Sequence, residues 1–251
     1  MKYGYLKCSL MLAFAATAAW ADQPLTINFT QCTEFAGVGP VNYANASALV
    51  PRQFTALSTG VGTAGIVVRA GSCTGVSVNG GHSIPTVFSQ VGVEIVPPDK
   101  TGDINNYLLF YITNNPELVV ALNLAGAPAL YDPNLTYQFT YGSTGKSGVL
   151  YVEAEAFGVP SYTIYGTETD PTAPYGDFTA NWWALTPQQG LVKEAGNYPN
   201  ISFGTANNTV FTDKNSELGK LIGGNTDSDF HLFPVRGVYP SAHMEVTVSS
   251  R

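Results

Sequence analysis

The sequence predicts a mainly β, antiparallel single domain with one or two short helices. Val, Thr, Tyr and Phe fill the runs between turn residues, and the 251-residue chain holds 26 Gly and 16 Pro, a strand-and-turn composition. Short β-rich runs recur between punctuation such as Asn79-Gly80-Gly81, Pro97-Pro98-Asp99 and Asp132-Pro133-Asn134, which points to a barrel or a sandwich. Neither an internal repeat nor a low-complexity linker divides the chain, so residues 22–251 read as one domain.

The first 21 residues read as a signal peptide. Lys2 and Lys7 open it, Leu10 to Ala19 form an apolar run, and Ala19-Trp20-Ala21 gives small residues at cleavage spacing before Asp22. The run is too short to span a bilayer, and no later stretch reaches 18 uninterrupted apolar residues. The expectation is a secreted or periplasmic protein without a membrane span. Losing Lys2 and Lys7 takes the formal charge from −7 to −9. So acidic a body cannot neutralise many phosphates, which argues against nucleic-acid binding and against a polybasic membrane surface. Cys8 leaves with the signal, so Cys32 and Cys73 remain and are expected to form one disulfide in an oxidising compartment. Five Asn-x-Ser/Thr sites, at Asn28, Asn45, Asn134, Asn200 and Asn207, do not identify a host.

Strand-like runs follow in order: Ile66 to Arg69, Thr86 to Val96, Tyr107 to Thr113, Thr136 to Thr140 and Gly148 to Phe157. Ser161 to Thr167, Phe178 to Leu185, Asn200 to Gly204 and His243 to Ser249 complete the set. Pro116 to Leu124 reads as a helix, with Pro early and Gly126 just past its end. Lys214 to Ile222 is a second helix, stopped by Gly223-Gly224.

Two glycine-rich segments imitate phosphate loops. Gly60-Val61-Gly62-Thr63-Ala64-Gly65 has the dinucleotide spacing but runs into the strand Ile66 to Arg69, where the chemistry needs a helix N-terminus. Gly142-Ser143-Thr144-Gly145-Lys146-Ser147 places its first glycine two positions too close and also precedes a strand. Both read as turns. The acidic turns Asp99 to Asp103 and Asp227 to Asp229 lack full cation-loop spacing. His82, His231 and His243 lack zinc-ligand spacing. No metal and no cofactor are expected. Trp182-Trp183 should place one indole in the core and the other outside it.

From Ala48 onward the order of segments resembles the acetoacetate decarboxylase family. Ala48-Leu49-Val50-Pro51 resembles its early turn, and Thr86 to Val93 its strand carrying an aromatic-x-Glu motif. Tyr107 to Tyr131, through Asn114-Asn115-Pro116 and Gly126-Ala127-Pro128, resembles the segment leading to its catalytic lysine. Phe233 to His243 resembles its closing segment. The resemblance implies a closed, lipocalin-like antiparallel β barrel around an apolar cavity. It also implies a lysine just after the Pro, forming an imine with a ketone substrate. Here Ala129 and Leu130 occupy those positions, and Gln90 replaces the acid. Neither Ala nor Leu forms an imine, and an amide does not shuttle protons near neutral pH.

The reading is therefore a small-molecule binder whose cavity takes a largely apolar or keto-acid ligand without imine chemistry. The pocket residues expected are Gln90, Tyr111, Ala129 and Trp182, with Arg236 as a carboxylate anchor or a structural ion pair. The alternative is a non-imine lyase, decarboxylase or isomerase acting on a keto or polyketide-like acid. It would use Glu94, Glu153, Glu155 or His243 as base, and Lys193 is the one lysine in a strand able to point inward. Self-association is left open.

Overall fold

The computed structural model describes residues 24–186, 190–222, 227–229 and 233–249, the side chains of 227–229 excepted. The signal segment 1–21 and His231 lie outside the described residues.

Among the described residues, thirteen strands and three helices follow one another. β1 (Leu25–Asn42), α1 (Tyr43–Leu49), β2 (Ser58–Gly60), β3 (Thr63–Val78), β4 (Ile84–Glu94) and β5 (Ile104–Thr113) come first. α2 (Pro116–Leu124), β6 (Ala129–Tyr131), β7 (Thr136–Tyr141), β8 (Ser147–Ala154) and β9 (Tyr162–Thr169) form the middle. β10 (Gly176–Leu185), β11 (Leu191–Thr212), α3 (Glu217–Leu221), β12 (Asp227–Asp229) and β13 (Val235–Ser249) close the chain.

The strands run in the order β10-β5-β4-β3-β1-β13-β11, and β11 pairs back onto β10, so these strands form a closed ring. The sheet is antiparallel except where β5 runs parallel to β10 and to β6. β11 is long enough to serve two layers. Its first part pairs with β10 and β13, and its last part leaves the ring to pair with β9, which continues through β8 to β7.

Alternation along the strands then builds two cores. Ile27, Phe88, Leu108, Trp182, Val192 and Met244, one from nearly every ring strand, meet inside the ring. Ile66, Val91, Phe110 and Trp183 face outward, where Leu150 and Val152 of β8, Ile164 of β9 and Val210 from the last part of β11 join them in the outer core. Helix α2 closes over the ring interior with Leu118 and Leu122. Asn115 caps it, accepting from the Glu117 and Leu118 backbone N–H groups, and Gly126 ends it at φ +85°.

Both glycine-rich segments are hairpin turns. Gly60 to Thr63 joins β2 to β3, and Gly142 to Ser147 joins β7 to β8. The expected disulfide joins Cys32 to Cys73, register partners on β1 and β3. α1, capped by Asn42, ends at Leu49 and leads into the turn at Val50 and Pro51, where the Phe54 N–H donates to the Pro51 carbonyl. Three expectations need correction. Asp227–Asp229 is a short strand on β11. β8 stops at Ala154, short of the expected Phe157, so Glu155 lies beyond the strand. Trp183 is not outside the core: the chain after α1 folds Phe54 over it, and its Nε1–H donates to Asn105.

Candidate functional site

A charged side chain inside an apolar strand run must either find partners or be neutralised. Among the described residues, three such residues are buried and point into the ring. Glu34 of β1 and Arg69 of β3 are 5% and 6% exposed, and Glu194 of β11 is 1% exposed. Arg69 donates from Nε (2.8 Å) and Nη2 (2.5 Å) to Glu34 Oε2. Tyr239 donates its hydroxyl to the same oxygen at 2.9 Å. The guanidinium also lies over the Phe88 and Tyr198 rings, at 4.7 and 5.1 Å. Burial alone would lower the Arg69 pKa, but Glu34 and the neighbouring tyrosines outweigh it, and the cation is held charged.

Gln90 links this pair to the third acid. Its amide oxygen accepts from Arg69 Nη1 at 3.0 Å, and its amide nitrogen donates to Glu194 Oε2 at 3.3 Å. Glu194 Oε1 has no partner among the described residues. Burial, only partly opposed by Arg69, pushes the Glu194 carboxyl up to about 8, so it is mostly protonated at neutral pH. Close approach of strands makes this cluster possible. A Cβ on Gly71 would lie 2.5 Å from the Phe88 ring and 3.1 Å from Glu34 Cβ. One on Gly92 would lie 2.7 Å from the Trp182 ring.

Beside the cluster is a partly open cavity of about 40 Å³. Glu34, Arg69, Asn106 and Trp182 supply its polar lining, and Phe178 and Phe203 are among its apolar walls. Ionisable side chains therefore face the interior even though Ala129 and Gln90 stand where the resemblance expects a lysine and an acid.

Of the expected pocket residues, Tyr111, Ala129 and Trp182 belong to the interior core, and Gln90 sits in its polar cluster. Only Trp182 lines the cavity itself. Ala129 pairs with Tyr111 across β6 and β5, and Asn123 clamps its backbone through both amide groups. Leu130 packs on the outer core instead. Arg236 is not brought to these residues. It pairs in register with Phe35 of the outer core, bonds Glu168 and Asp170 at 2.9 and 2.8 Å, and stacks on Phe139.

Among the proposed bases, Glu94 is half-buried on the inward face at Gly65, and burial raises its carboxyl. Glu153 and Glu155 border a separate open pocket with Ser161 and Phe211. His243 is exposed beside Asn28. Lys193 points outward to Asp99 at 2.6 Å, leaving Glu194 to face in. No described helix is long and apolar enough to cross a membrane, and no metal-ligand group occurs among the described residues.

Sequence reasoning did not single out Glu34, Arg69 or Asn106, and strand alternation required one of Lys193 and Glu194 to face inward without deciding which. The available signal was a charge embedded among apolar neighbours, as in Ile66-Val67-Val68-Arg69-Ala70.

No family model matches the sequence, and no curated protein is similar to it in sequence. Solved structures are similar in fold. An acetoacetate decarboxylase-like enzyme from Sphingomonas wittichii RW1 superposes with a TM-score of 0.54 at 10% identity, over 97% of this chain and 99% of that one. The acetoacetate decarboxylase of Legionella pneumophila gives 0.55 at 8% identity, over 97% and 98%. This chain has the acetoacetate decarboxylase-like fold. A third protein similar to it is an enduracididine biosynthesis enzyme, complexed with the condensation product of pyruvate and imidazole 4-carboxaldehyde. It superposes at 0.57 with 12% identity, over 98% and 97%. The acetoacetate decarboxylase-like fold thus spans nearly the whole chain.

Proposed function

We propose that this chain is an exported small-molecule binding protein that holds a largely apolar or keto-acid ligand inside the ring and forms no imine with it. One observation carries the reading. Ala129, at the position where the family resemblance expects the imine lysine, lies in the interior core, while the five lysines beyond the signal lie elsewhere. Lys100, Lys146, Lys214 and Lys220 are exposed, and Lys193 is tied to Asp99. The disulfide and the signal-like N-terminus support export. The test is borohydride reduction in the presence of acetoacetate, read by intact mass. No adduct is expected; a trapped adduct would overturn the reading.

A second reading is favoured by Glu194 alone. A buried carboxyl with a raised pKa and an unpartnered oxygen suits general acid–base work on a carbonyl compound. It predicts protein-dependent deuterium exchange at the α-carbon of acetoacetate, followed by NMR, that Glu194→Gln abolishes. Exchange no faster than buffer would leave binding as the function.

A further inference from the structure

The cavity's own unused hydrogen-bonding groups narrow the ligand class, given the reading that the ring interior binds a small molecule. Trp182 and Asn106 both line the cavity and are 2% and 1% exposed. Each keeps one polar atom without a hydrogen-bond partner among the described residues: Nε1 of Trp182 and Oδ1 of Asn106. The two side chains are neighbours, because their residues are register partners across β10 and β5. An indole N–H only donates and an amide oxygen only accepts. A hydroxyl does both, so a single hydroxyl oxygen can serve the pair. A ketone or carboxylate oxygen leaves Oδ1 bare, and a buried polar atom without a partner is costly.

Charge points the same way. Among the described residues, the ionisable groups facing this interior are Glu34, Glu94, Glu194, Arg69, Tyr111, Tyr198 and Tyr239. Arg69 is the one cation among these, and Glu34 already engages it. A ligand carboxylate would add a negative charge to a buried site with no free cation. The walls favour a flat apolar body: Phe178 and Phe203 meet edge to face at 5.4 Å, and Phe233 continues the row at 6.2 Å from Phe203.

We infer that the site selects a neutral, planar, apolar molecule bearing a phenol-type hydroxyl. The hydroxyl sits between Trp182 Nε1 and Asn106 Oδ1, and the ring lies along Phe178 and Phe203. The experiment is calorimetric titration of the disulfide-bonded protein at pH 7 with phenol, anisole and benzoate. Anisole keeps the acceptor oxygen but loses the donor, and benzoate carries the charge. Phenol is expected to bind more tightly than either. Trp182→Phe, which removes the N–H and keeps an aromatic ring, is expected to weaken phenol about two- to tenfold, as for one lost hydrogen bond. Circular dichroism checks that the variant is folded; if it is not, the phenol-to-anisole ratio on the unmodified protein decides. Equal binding of phenol and anisole, or tighter binding of benzoate, overturns the inference. So does a folded Trp182→Phe that binds phenol unchanged, or an absence of binding by all three. Native mass spectrometry then separates the two claims. A co-purifying molecule of other chemistry leaves the binding reading standing, and an empty interior removes both.

Discussion

Glu194 has a single hydrogen-bond donor, the Gln90 amide, and its carboxyl is pushed up to about 8 by burial. Unfolded, the same group titrates near 4.5. Between those values the folded chain holds a proton that the unfolded chain has released. Its contribution to stability therefore falls as pH rises, by at most ~1.4 kcal/mol per pH unit, and levels off above about pH 8. Glu194→Gln removes that slope. Urea denaturation from pH 5 to 8 should show the variant gaining steadily on the parent protein, and parallel curves would mean that the carboxyl is not held neutral. Arg69 gives the opposite lesson. Glu34 is buried with it, so Arg69→Met leaves a carboxylate without its counter-ion and should cost about 3–5 kcal/mol. The double variant with Glu34→Gln should recover much of the loss, because a buried pair adds little over a neutral replacement. A double variant as unstable as the single would place the cost in lost packing on Phe88 and Tyr198 instead.

Helix α2 was legible because its signals are local: Asn115 before Pro116, and Gly126 after the last turn. Asn115 also donates to Thr86 Oγ1 at 2.9 Å, tying the helix to β4. Asn115→Ala should cost about 1–2 kcal/mol, and thermal denaturation checks it; no change would mean that Leu118 and Leu122 hold the helix unaided. The long strands were less legible. β1 was not anticipated, and β11 and β13 were read only in pieces. Each carries residues that read as turns, including Gly37 to Pro40, Pro199-Asn200 and Pro240. Gln31 and Asn200 adopt positive φ within strands, so the chain bends there without leaving the sheet. Pairing on both edges overrides local propensity in such strands, and pairing partners are not a local property. The same limit hid the polar cluster. Glu34, Arg69 and Glu194 lie far apart in sequence and meet only once the ring closes. Tyr111 and Ala129 were within reach, since both lie in the segment Tyr107 to Tyr131 that carries the family resemblance, whereas for Trp182 and Trp183 alternation said only that the two indoles face opposite ways.

Ring closure is also what the disulfide acts on. Cys32 and Cys73 sit opposite each other on β1 and β3, and both side chains lie in the interior core. β1 is held on its other edge by β13, from the far end of the chain. This central strand is therefore assembled from partners distant in sequence, and bringing them together costs chain entropy before any interior contact forms. A link with a separation of 41 residues removes part of that cost from the unfolded chain, worth ~3–4 kcal/mol on the chain-entropy estimate. Replacing both cysteines by Ala should lower the urea midpoint accordingly while leaving the folded far-ultraviolet spectrum intact, since the β1–β3 register continues to both sides of the pair. A loss well below that estimate would mean that β1 and β3 already associate in the unfolded chain. Loss of the folded spectrum itself would mean that the ring cannot close without the link.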